Sequence, residues 1–251
     1  LLLKDYDQFK DNEAYMYDIA NVEQQVLSNS AQEVHRRMAA AFNAKDLTAF
    51  NKEANTFMEI IERMELVTGT TKYFMLGRWV EMAKDLAKNA DDFTKDLYEF
   101  NAKAIVTTWG SYNQAEGGRL KDYSNRQWNG LIGDFYKARW QRWIEASKMK
   151  IQDPKYDTNI NWFEWEWAWA RANDVYTNEP TPQDLKALGE EMLEKYTSAN
   201  PAADASKDVP TSEMSVKTGS YQPNNDTEGD PNYVLDGNPG TIWHSNWDGS
   251  T

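Results

Sequence analysis

Tryptophan and tyrosine side chains around a short loop are the residues best suited to hold a flat, polar ligand. Eight of the 11 tryptophans lie between Trp109 and Trp169. Trp109 opens a loop that contains Gly117 and Gly118, and Tyr123 follows it. Aromatic rings offer large faces for contacts, and loops on rigid scaffolds often carry binding residues. The placement indicates a binding surface at Trp109 and Tyr123, with core packing as the alternative.

Residues for self-contained catalysis are scarce. His35 and His244 lie in different segments, and neither belongs to a metalloprotease-type pair. The chain has 40 acidic residues, but that number does not show that any two of them share a catalytic site. Glu164 and Glu166 flank a tryptophan and would resemble a glycosidase pair only if they shared one site. On a helix they point about 200° apart, so we expect rim or interface acids.

Composition limits the function classes. The chain has 251 residues and a formal net charge of −13, which argues against nucleic acid and anionic membranes as partners. It has no cysteine, which excludes a disulfide framework and a thiolate nucleophile. No apolar run reaches transmembrane length, and no signal peptide is visible. The chain starts without methionine and ends within a motif, so we expect a piece of a longer protein.

Apolar residues recur at helical spacing in the first part of the chain. The segments from Leu3 to Asn43 and from Asp46 to Thr68 predict an antiparallel helix pair, with Asp46 as N-cap and Gly69 after the end. Two further helices are predicted, from Thr71 to Lys88 and from Asp91 or Asp92 to Trp109. Their inward residues are expected to be Phe74, Trp79, Met82, Leu86, Phe93, Leu97, Phe100, Ala104 and Ile105.

The run from Leu120 to Met149 predicts a long central helix. It carries two adjacent apolar stripes, which indicates a helix covered on more than one side. Arg139 and Arg142 lie among these stripes, either to pair with a buried carboxylate or to extend along the core surface. The stripes are Trp128, Leu131, Phe135 and Ala138, and Ile132, Tyr136, Trp140 and Trp143.

The segment from Asn161 to Tyr176 fits both a strand and a helix, and its helical neighbours favour a helix. Thr181 and Pro182 predict the start of a last helix. Residues 199–213 are small and polar with two prolines, which predicts a linker. The expected fold class is therefore all-α, an irregular multi-helix bundle over residues 1–198, followed by a short non-helical β-type C-terminal tail.

Four motifs together resemble the C-terminal helical domain of the α-N-acetylglucosaminidases, glycoside hydrolase family 89. They are Tyr73–Trp79 (YFMLGRW), Thr107–Gly110 (TTWG), Leu120–Leu131 (LKDYSNRQWNGL) and Tyr136–Trp140 (YKARW). The likeness covers about residues 1 to 200. It implies an exported bacterial enzyme, in the periplasm, at the cell surface or secreted. It also implies an exo-acting, retaining hydrolysis of terminal α-linked N-acetylglucosamine.

The resemblance places the catalytic glutamates upstream, on a (β/α)8 barrel of the same polypeptide. It therefore implies that this chain carries no catalytic residue and needs no cofactor for catalysis. The helical domain is expected to wall the substrate pocket beside the barrel. Carried over residue by residue, the substrate-binding positions are Trp109, Leu120, Asp122 and Tyr123. The expected partners are the barrel and glycans that end in N-acetylglucosamine.

The tail from Asn232 to Ser245 resembles the opening of a discoidin-type (F5/8 type C) β-sandwich, a group that includes the family 32 carbohydrate-binding modules. The likeness implies an incomplete module over residues 214–251. It also implies a structural calcium ion near Asp236, Asn238 and Thr241, whose oxygen ligands suit that metal.

Two other functions remain open from the residues alone. The first is a non-catalytic helical binding or scaffold domain that engages a partner protein through its aromatic residues. The second is a lone enzyme that uses carboxylates within this chain. Activity of the isolated chain on an aryl α-N-acetylglucosaminide, compared with activity after the upstream sequence is restored, separates the three.

Overall fold

The computed structural model describes residues 2–197, Ser215 and residues 230–234. The chain divides into two compact units, Leu1–Asn200 and Pro201–Thr251, and each is described by itself. The described part of the first unit consists of helices, short turns and irregular segments, and it contains no strand. The all-α fold class expected from the sequence is confirmed.

The structure describes eight α-helices in the first unit, and short 3-10 and π-helical turns join several of them. The helices are α1 Tyr6–Phe9, α2 Glu13–Asn43, α3 Leu47–Thr68, α4 Leu76–Leu86, α5 Asp92–Ile105, α6 Lys137–Gln152, α7 Trp162–Arg171 and α8 Leu185–Met192. The 3-10 turns are Leu2–Asp5 and Lys72–Phe74, and the π turns are Asn113–Gly117, Leu131–Tyr136 and Leu193–Thr197.

The long helices α2 and α3 pack against each other, as their periodicity predicted. Asp46 caps α3 by accepting a hydrogen bond from the Ala49 N–H at 2.9 Å, and Gly69 follows its last residue. Asp91 caps α5 in the same way through the Thr94 N–H at 2.8 Å. Carboxylates in these positions satisfy backbone donors that the first helical turn leaves unpaired.

Two hydrophobic clusters lie on either side of the segment that starts at Leu131. The first joins α2, α3 and α8 and receives Ile132, Trp140 and Trp143. The second joins residues of α4, α5 and α7 and receives Leu131 and Phe135. Each of the two stripes that the sequence predicted faces its own cluster except at Tyr136, which packs against the second cluster. This segment is thus the central element of the unit.

The central helix begins later than its periodicity predicted. Residues 120–130 are irregular, the π turn starts at Leu131, and regular α-helix starts at Lys137. Asn129 instead pairs with a neighbouring segment: its N–H donates to the Phe74 carbonyl at 2.8 Å, and its carbonyl accepts from the Leu76 N–H at 3.0 Å. Backbone groups used in this pairing cannot also form a helical ladder.

Five apolar side chains of α4 and α5 that were expected inside the fold lie at its surface. Met82, Leu86, Phe93, Leu97 and Ile105 are 62%, 80%, 77%, 42% and 40% exposed. The prediction was wrong because these helices bury other faces. Helix α4 buries Leu76, Gly77 and Val80, and α5 buries Glu99, Ala102, Lys103 and Ala104.

The last two helices test two local predictions. Trp162–Arg171 is helical, as favoured over a strand, although the helix ends before Tyr176. Helix α8 starts at Leu185 with Asp184 as its cap, and not at Thr181. The Thr181 N–H donates instead to the Gly69 carbonyl at 2.8 Å, so this segment contacts the end of α3.

In the second unit, Pro231–Val234 forms one 3-10 turn where the sequence favoured the beginning of a strand. The linker over 199–213 and almost all of the β-sandwich start over 214–251 lie outside the described residues, so both stay predictions. No helix in the described part of the chain has the length and apolar character that a membrane span requires.

Glu23 on α2 is a buried acid. Its side chain is 3% exposed, and among the described residues neither of its carboxylate oxygens has a hydrogen-bond donor. Gly189 of α8 approaches it so closely that a Cβ there would lie 2.4 Å from Oε1. Burial, with the charge of Asp184 adding to it, raises the pKa of the Glu23 carboxyl to about 8.

We therefore predict that Glu23→Gln changes how stability depends on pH. A folded pKa of about 8 lies above the ordinary value of 4.5, so the contribution to stability is complete below pH 4.5 and is lost as pH rises toward 8. Relative to the variant, the wild type should lose on the order of 4 kcal/mol between pH 5 and pH 8.5, since a tenfold change in proton affinity corresponds to about 1.4 kcal/mol. Urea unfolding at both pH values measures this change in the free energy of unfolding.

Glu190→Gln, at an exposed position on α8, is the control. Equal pH profiles for wild type and Glu23→Gln would contradict the prediction.

Candidate functional site

The loop from Trp109 to Tyr123 has unusual backbone geometry. Trp109, Arg119 and Asp122 have positive φ angles of 68°, 59° and 61°. Within the described residues, Lys45 is the only other non-glycine residue in this region. A residue with a side chain occupies this conformation at a cost of about 1–3 kcal/mol, and such residues concentrate at ligand sites. The loop is therefore held in shape by its surroundings.

Backbone hydrogen bonds attach both ends of the loop to the end of α5. The Trp109 N–H donates to the Ala104 carbonyl at 2.7 Å, and the Asp122 N–H donates to the Thr107 carbonyl at 2.8 Å. Between these two points, the chain turns through Asn113–Gly117 and returns. The two ends of the loop are thus adjacent, which brings Trp109 next to Tyr123.

Trp109 and Tyr123 form one aromatic surface. Their ring centroids lie 5.0 Å apart with an interplanar angle of 69°, an edge-to-face arrangement that aromatic pairs favour. Tyr123 is 71% exposed and Trp109 is half-buried, so neither is a core residue. Leu120, also half-buried, precedes this pair in the loop. The structure brings together the aromatic residues that the sequence singled out.

Asp122 is engaged by Arg139 of α6. The Arg139 guanidinium donates to Oδ2 at 2.7 Å and to Oδ1 at 3.1 Å, a bidentate pair. The Tyr136 hydroxyl donates more weakly to Oδ1 at 3.5 Å. A two-point contact fixes the orientation of a carboxylate as well as its position. Of the two roles that the sequence left open for Arg139, pairing with a carboxylate is therefore the one it has.

Glu166 of α7 lies beneath the same loop. Its side chain is fully buried, with Arg139 Nε 2.8 Å from Oε1 and Lys121 Nζ 2.9 Å from Oε2. Neither contact has the alignment of a directed hydrogen bond, so both are ion pairs by distance. Lys121 also contacts Glu116 at 3.0 Å. The expectation that Glu166 is a rim acid was wrong, because α7 turns it inward, whereas Glu164 is exposed.

The pKa values in this cluster follow from burial and neighbouring charges. Burial raises the pKa of the Glu166 carboxyl, although Arg139 and Lys121 oppose that rise. Burial alone would lower the pKa of Arg139, but hydrogen bonds and charges from Asp122 and Glu166 keep it above its ordinary value. Burial beside Asp122 raises the pKa of the Tyr136 hydroxyl. Arg139 therefore remains a permanent cation between two acids.

The segment after the loop is fixed by Glu65 at the end of α3. Its carboxylate accepts from Asn129 Nδ2 at 2.7 Å, from the Gly130 N–H at 2.7 Å and from the Gly133 N–H at 2.8 Å. Gly130 has a φ of 83°, and a Cβ at Gly133 would lie 2.6 Å from the Glu65 carboxyl carbon. Gly130 is favoured here by its left-handed backbone, and Gly133 by its close approach to the Glu65 side chain.

Sequence patterns missed Glu65 and Lys121 and misplaced Glu166, since their partners lie far away along the chain. The only available signal was the paired arginines among apolar stripes. In the described ranges, no three His, Asp or Glu side chains gather in a way that could hold a metal ion. Asp236, Asn238 and Thr241, the predicted calcium ligands, lie outside the described residues.

Comparison with known proteins gives concordant matches. The family model of the α-N-acetylglucosaminidase C-terminal domain matches residues 1–195. Human α-N-acetylglucosaminidase is 25% identical over 203 residues, which cover 78% of this chain and 26% of that protein. The Clostridium perfringens family 89 glycoside hydrolase in complex with PUGNAc is 43% identical, with a TM-score of 0.76, over 79% of this chain and 23% of that one.

A second Clostridium perfringens structure, a doubly substituted enzyme in complex with its substrate GlcNAc-α-1,4-galactose, has 43% identity and a TM-score of 0.75. It covers 77% of this chain and 22% of that chain. The chain thus spans about a quarter of the length of these relatives.

We predict that Glu65→Gln destabilises the chain. An amide retains one acceptor oxygen but presents an NH₂ group to one of the N–H donors now bound by the carboxylate, leaving a buried donor without a partner. That loss is worth about 1–3 kcal/mol. Thermal or urea unfolding measures it. The control is Glu62→Gln on the same helix, where the carboxylate is 57% exposed and contacts Lys137 at 2.7 Å. Equal small effects at both positions would show that Glu65 is not an anchor.

Proposed function

The chain belongs to the α-N-acetylglucosaminidase C-terminal domain family, and on that basis we propose that it is the accessory helical domain of an exo-acting, retaining α-N-acetylglucosaminidase. In this proposal the domain walls the substrate pocket beside a catalytic barrel that precedes it in the polypeptide. The substrate class is a glycan ending in α-linked N-acetylglucosamine. The proposal includes export, because an exo-glycosidase of this class meets its glycans outside the cytoplasm.

The aromatic surface of Trp109 and Tyr123 is the observation that carries the proposal. Its two rings stand edge to face on a loop with left-handed residues at Trp109 and Asp122. An indole or phenol face can stack on a sugar ring, and a rigid wall excludes water and restricts orientation. We assign Trp109, Leu120, Asp122 and Tyr123 to this wall. Trp109 and Tyr123 supply its aromatic faces, and Asp122 is the point at which α6 holds it.

Exposed apolar side chains on α4 and α5 support a further covering partner. Leu86 is 80% exposed and Phe93 is 77% exposed, unusual values for large apolar residues. Contiguous apolar surface on a soluble domain commonly marks an interaction site. A chain that spans about a quarter of its relatives leaves room for such a partner in the same polypeptide, the proposed barrel.

The two acids that support the aromatic loop are unsuited to catalysis. Asp122 and Glu166 approach each other through Arg139, but Glu166 is completely buried and both acids contact cations. A general acid or a nucleophile must reach its substrate, so this pair is unsuited to act as one. The proposal therefore places both catalytic carboxylates in the preceding barrel.

Activity measurements on two proteins test the proposal. We expect no turnover of an aryl α-N-acetylglucosaminide by the isolated chain, and clear turnover when the preceding part of the polypeptide is present. Turnover by the isolated chain would instead favour an enzyme with its own carboxylates. Absence of turnover in both proteins would favour a non-catalytic domain that binds a partner protein.

We also predict that Trp109→Ala in the complete polypeptide lowers kcat/KM by on the order of tenfold or more, because the substrate loses one wall of its pocket. The melting temperature should change little, since Trp109 is half-buried. Steady-state kinetics and a melting curve measure the two effects. Tyr156→Ala, at a 37% exposed aromatic residue beyond the far end of α6, is the matched control. A large fall in melting temperature with unchanged kinetics would show that Trp109 is only structural.

A further inference from the structure

A chain of ion pairs supports the aromatic loop from below. It runs from Glu116 through Lys121, Glu166 and Arg139 to Asp122, with contacts of 3.0, 2.9, 2.8 and 2.7 Å in that order. Its members come from the π turn, the loop, α7 and α6. The loop itself has no regular ladder over residues 118–130, so these contacts connect it to the rigid helices.

Stability alone does not explain why charges occupy this place. The Arg139 side chain is 18% exposed and Glu166 is 0% exposed, so both lose most of their hydration. The desolvation of a buried ion pair consumes most of its Coulomb energy, and apolar residues of similar size often stabilise a fold equally well. An ion-pair network does fix the orientation of its side chains relative to one another, because the planar guanidinium accepts only certain placements of its partners.

Asp122 is the residue through which these ion pairs fix the orientation of the aromatic surface. Asp122 has a φ of 61° and is clamped by Arg139 at both carboxylate oxygens. Tyr123 follows directly and is 71% exposed; its ring contacts Trp109, and its N–H donates to the Leu120 carbonyl. If Asp122 relaxes to an ordinary conformation, the chain direction at Tyr123 changes with it.

We propose that Arg139, held in turn by Glu166, is a positioning residue that sets the orientation of the Trp109–Tyr123 surface toward the substrate. Arg139 acts through Asp122 and does not itself touch the sugar. This proposal rests on the proposed function of the surface. It adds that the fit of the substrate against the wall depends on two residues, one on α6 and one on α7, that lie beneath it.

The test is a double-mutant cycle in the complete polypeptide. Arg139→Lys keeps the positive charge but removes the two-point contact, and we expect kcat/KM to fall on the order of tenfold. Glu166→Gln keeps the shape of the side chain and removes its charge, and we expect a smaller fall in the same direction. Both substitutions are then combined with Trp109→Ala. Lys148→Met, which breaks the exposed pair with Glu145 on the same helix, is the control for an ion-pair loss without effect on kinetics.

The test depends on whether the effects of the two substitutions on kcat/KM are additive. If Arg139 acts through the aromatic surface, its substitution has little further effect on kcat/KM once Trp109 is alanine, so the effects are strongly non-additive. Additive losses, or an equal fall for Lys148→Met, would overturn the positioning role. If Arg139→Lys lowers the melting temperature too far to assay, the Glu166→Gln cycle gives the same comparison.

Unchanged kinetics for Trp109→Ala alone would refute the proposed function, whereas a loss of kcat/KM for Trp109→Ala with none for Arg139→Lys would refute only this inference.

Discussion

The carboxylate of Glu65 is the contact on which the arrangement of the helical unit depends. It accepts three N–H groups from Asn129, Gly130 and Gly133, and so ties the end of α3 to the start of the central segment. Burial raises the pKa of the Glu65 carboxyl, while the Gly130 and Gly133 N–H groups lower it. Because these donors are satisfied by a side chain, the backbone can turn sharply here and send Leu131 and Ile132 into different clusters.

From this point the central segment separates two hydrophobic clusters and also provides the support of the loop. Its residues Ile132 and Phe135 face opposite clusters, so α6 has little freedom to move relative to α3 or α7. Arg139 lies one helical turn after Phe135, so the same packing restricts its position. The aromatic loop is thereby attached to a segment that is packed on two sides, which suits the proposed binding wall.

Buried charge is a recurring feature of this acidic chain. Lys103 is fully buried, lies 3.7 Å from Glu99 and 5.2 Å from the centre of the Trp169 ring, and donates to the Ala172 carbonyl. Burial lowers its pKa, although nearby acids oppose that shift. Helix α5 therefore directs charged and small residues inward and leaves Phe93 exposed. Ion pairs and close helix packing take the place of an apolar stripe, which is why the periodicity of this helix was misleading.

The sequence by itself determined the all-α class, the limits of α3, the cap at Asp46, the start of α5 at Asp91 or Asp92, and the two apolar stripes of the central segment. These features depend on hydrogen bonds and spacings within a few residues, so a short stretch contains the information. Motifs spread over about 200 residues also identified the family, and with it the positions of Trp109 and Tyr123.

Only the tertiary structure decided which faces meet and which charges pair. The irregular path over residues 120–130, the inward turn of Glu166 and the clamp of Arg139 on Asp122 each need a partner from a distant part of the chain. Periodicity reports that a helix has an apolar side, but it does not report which neighbour covers that side. The shape of the aromatic surface therefore follows from packing and paired charges, whereas its residue types were visible in the sequence alone.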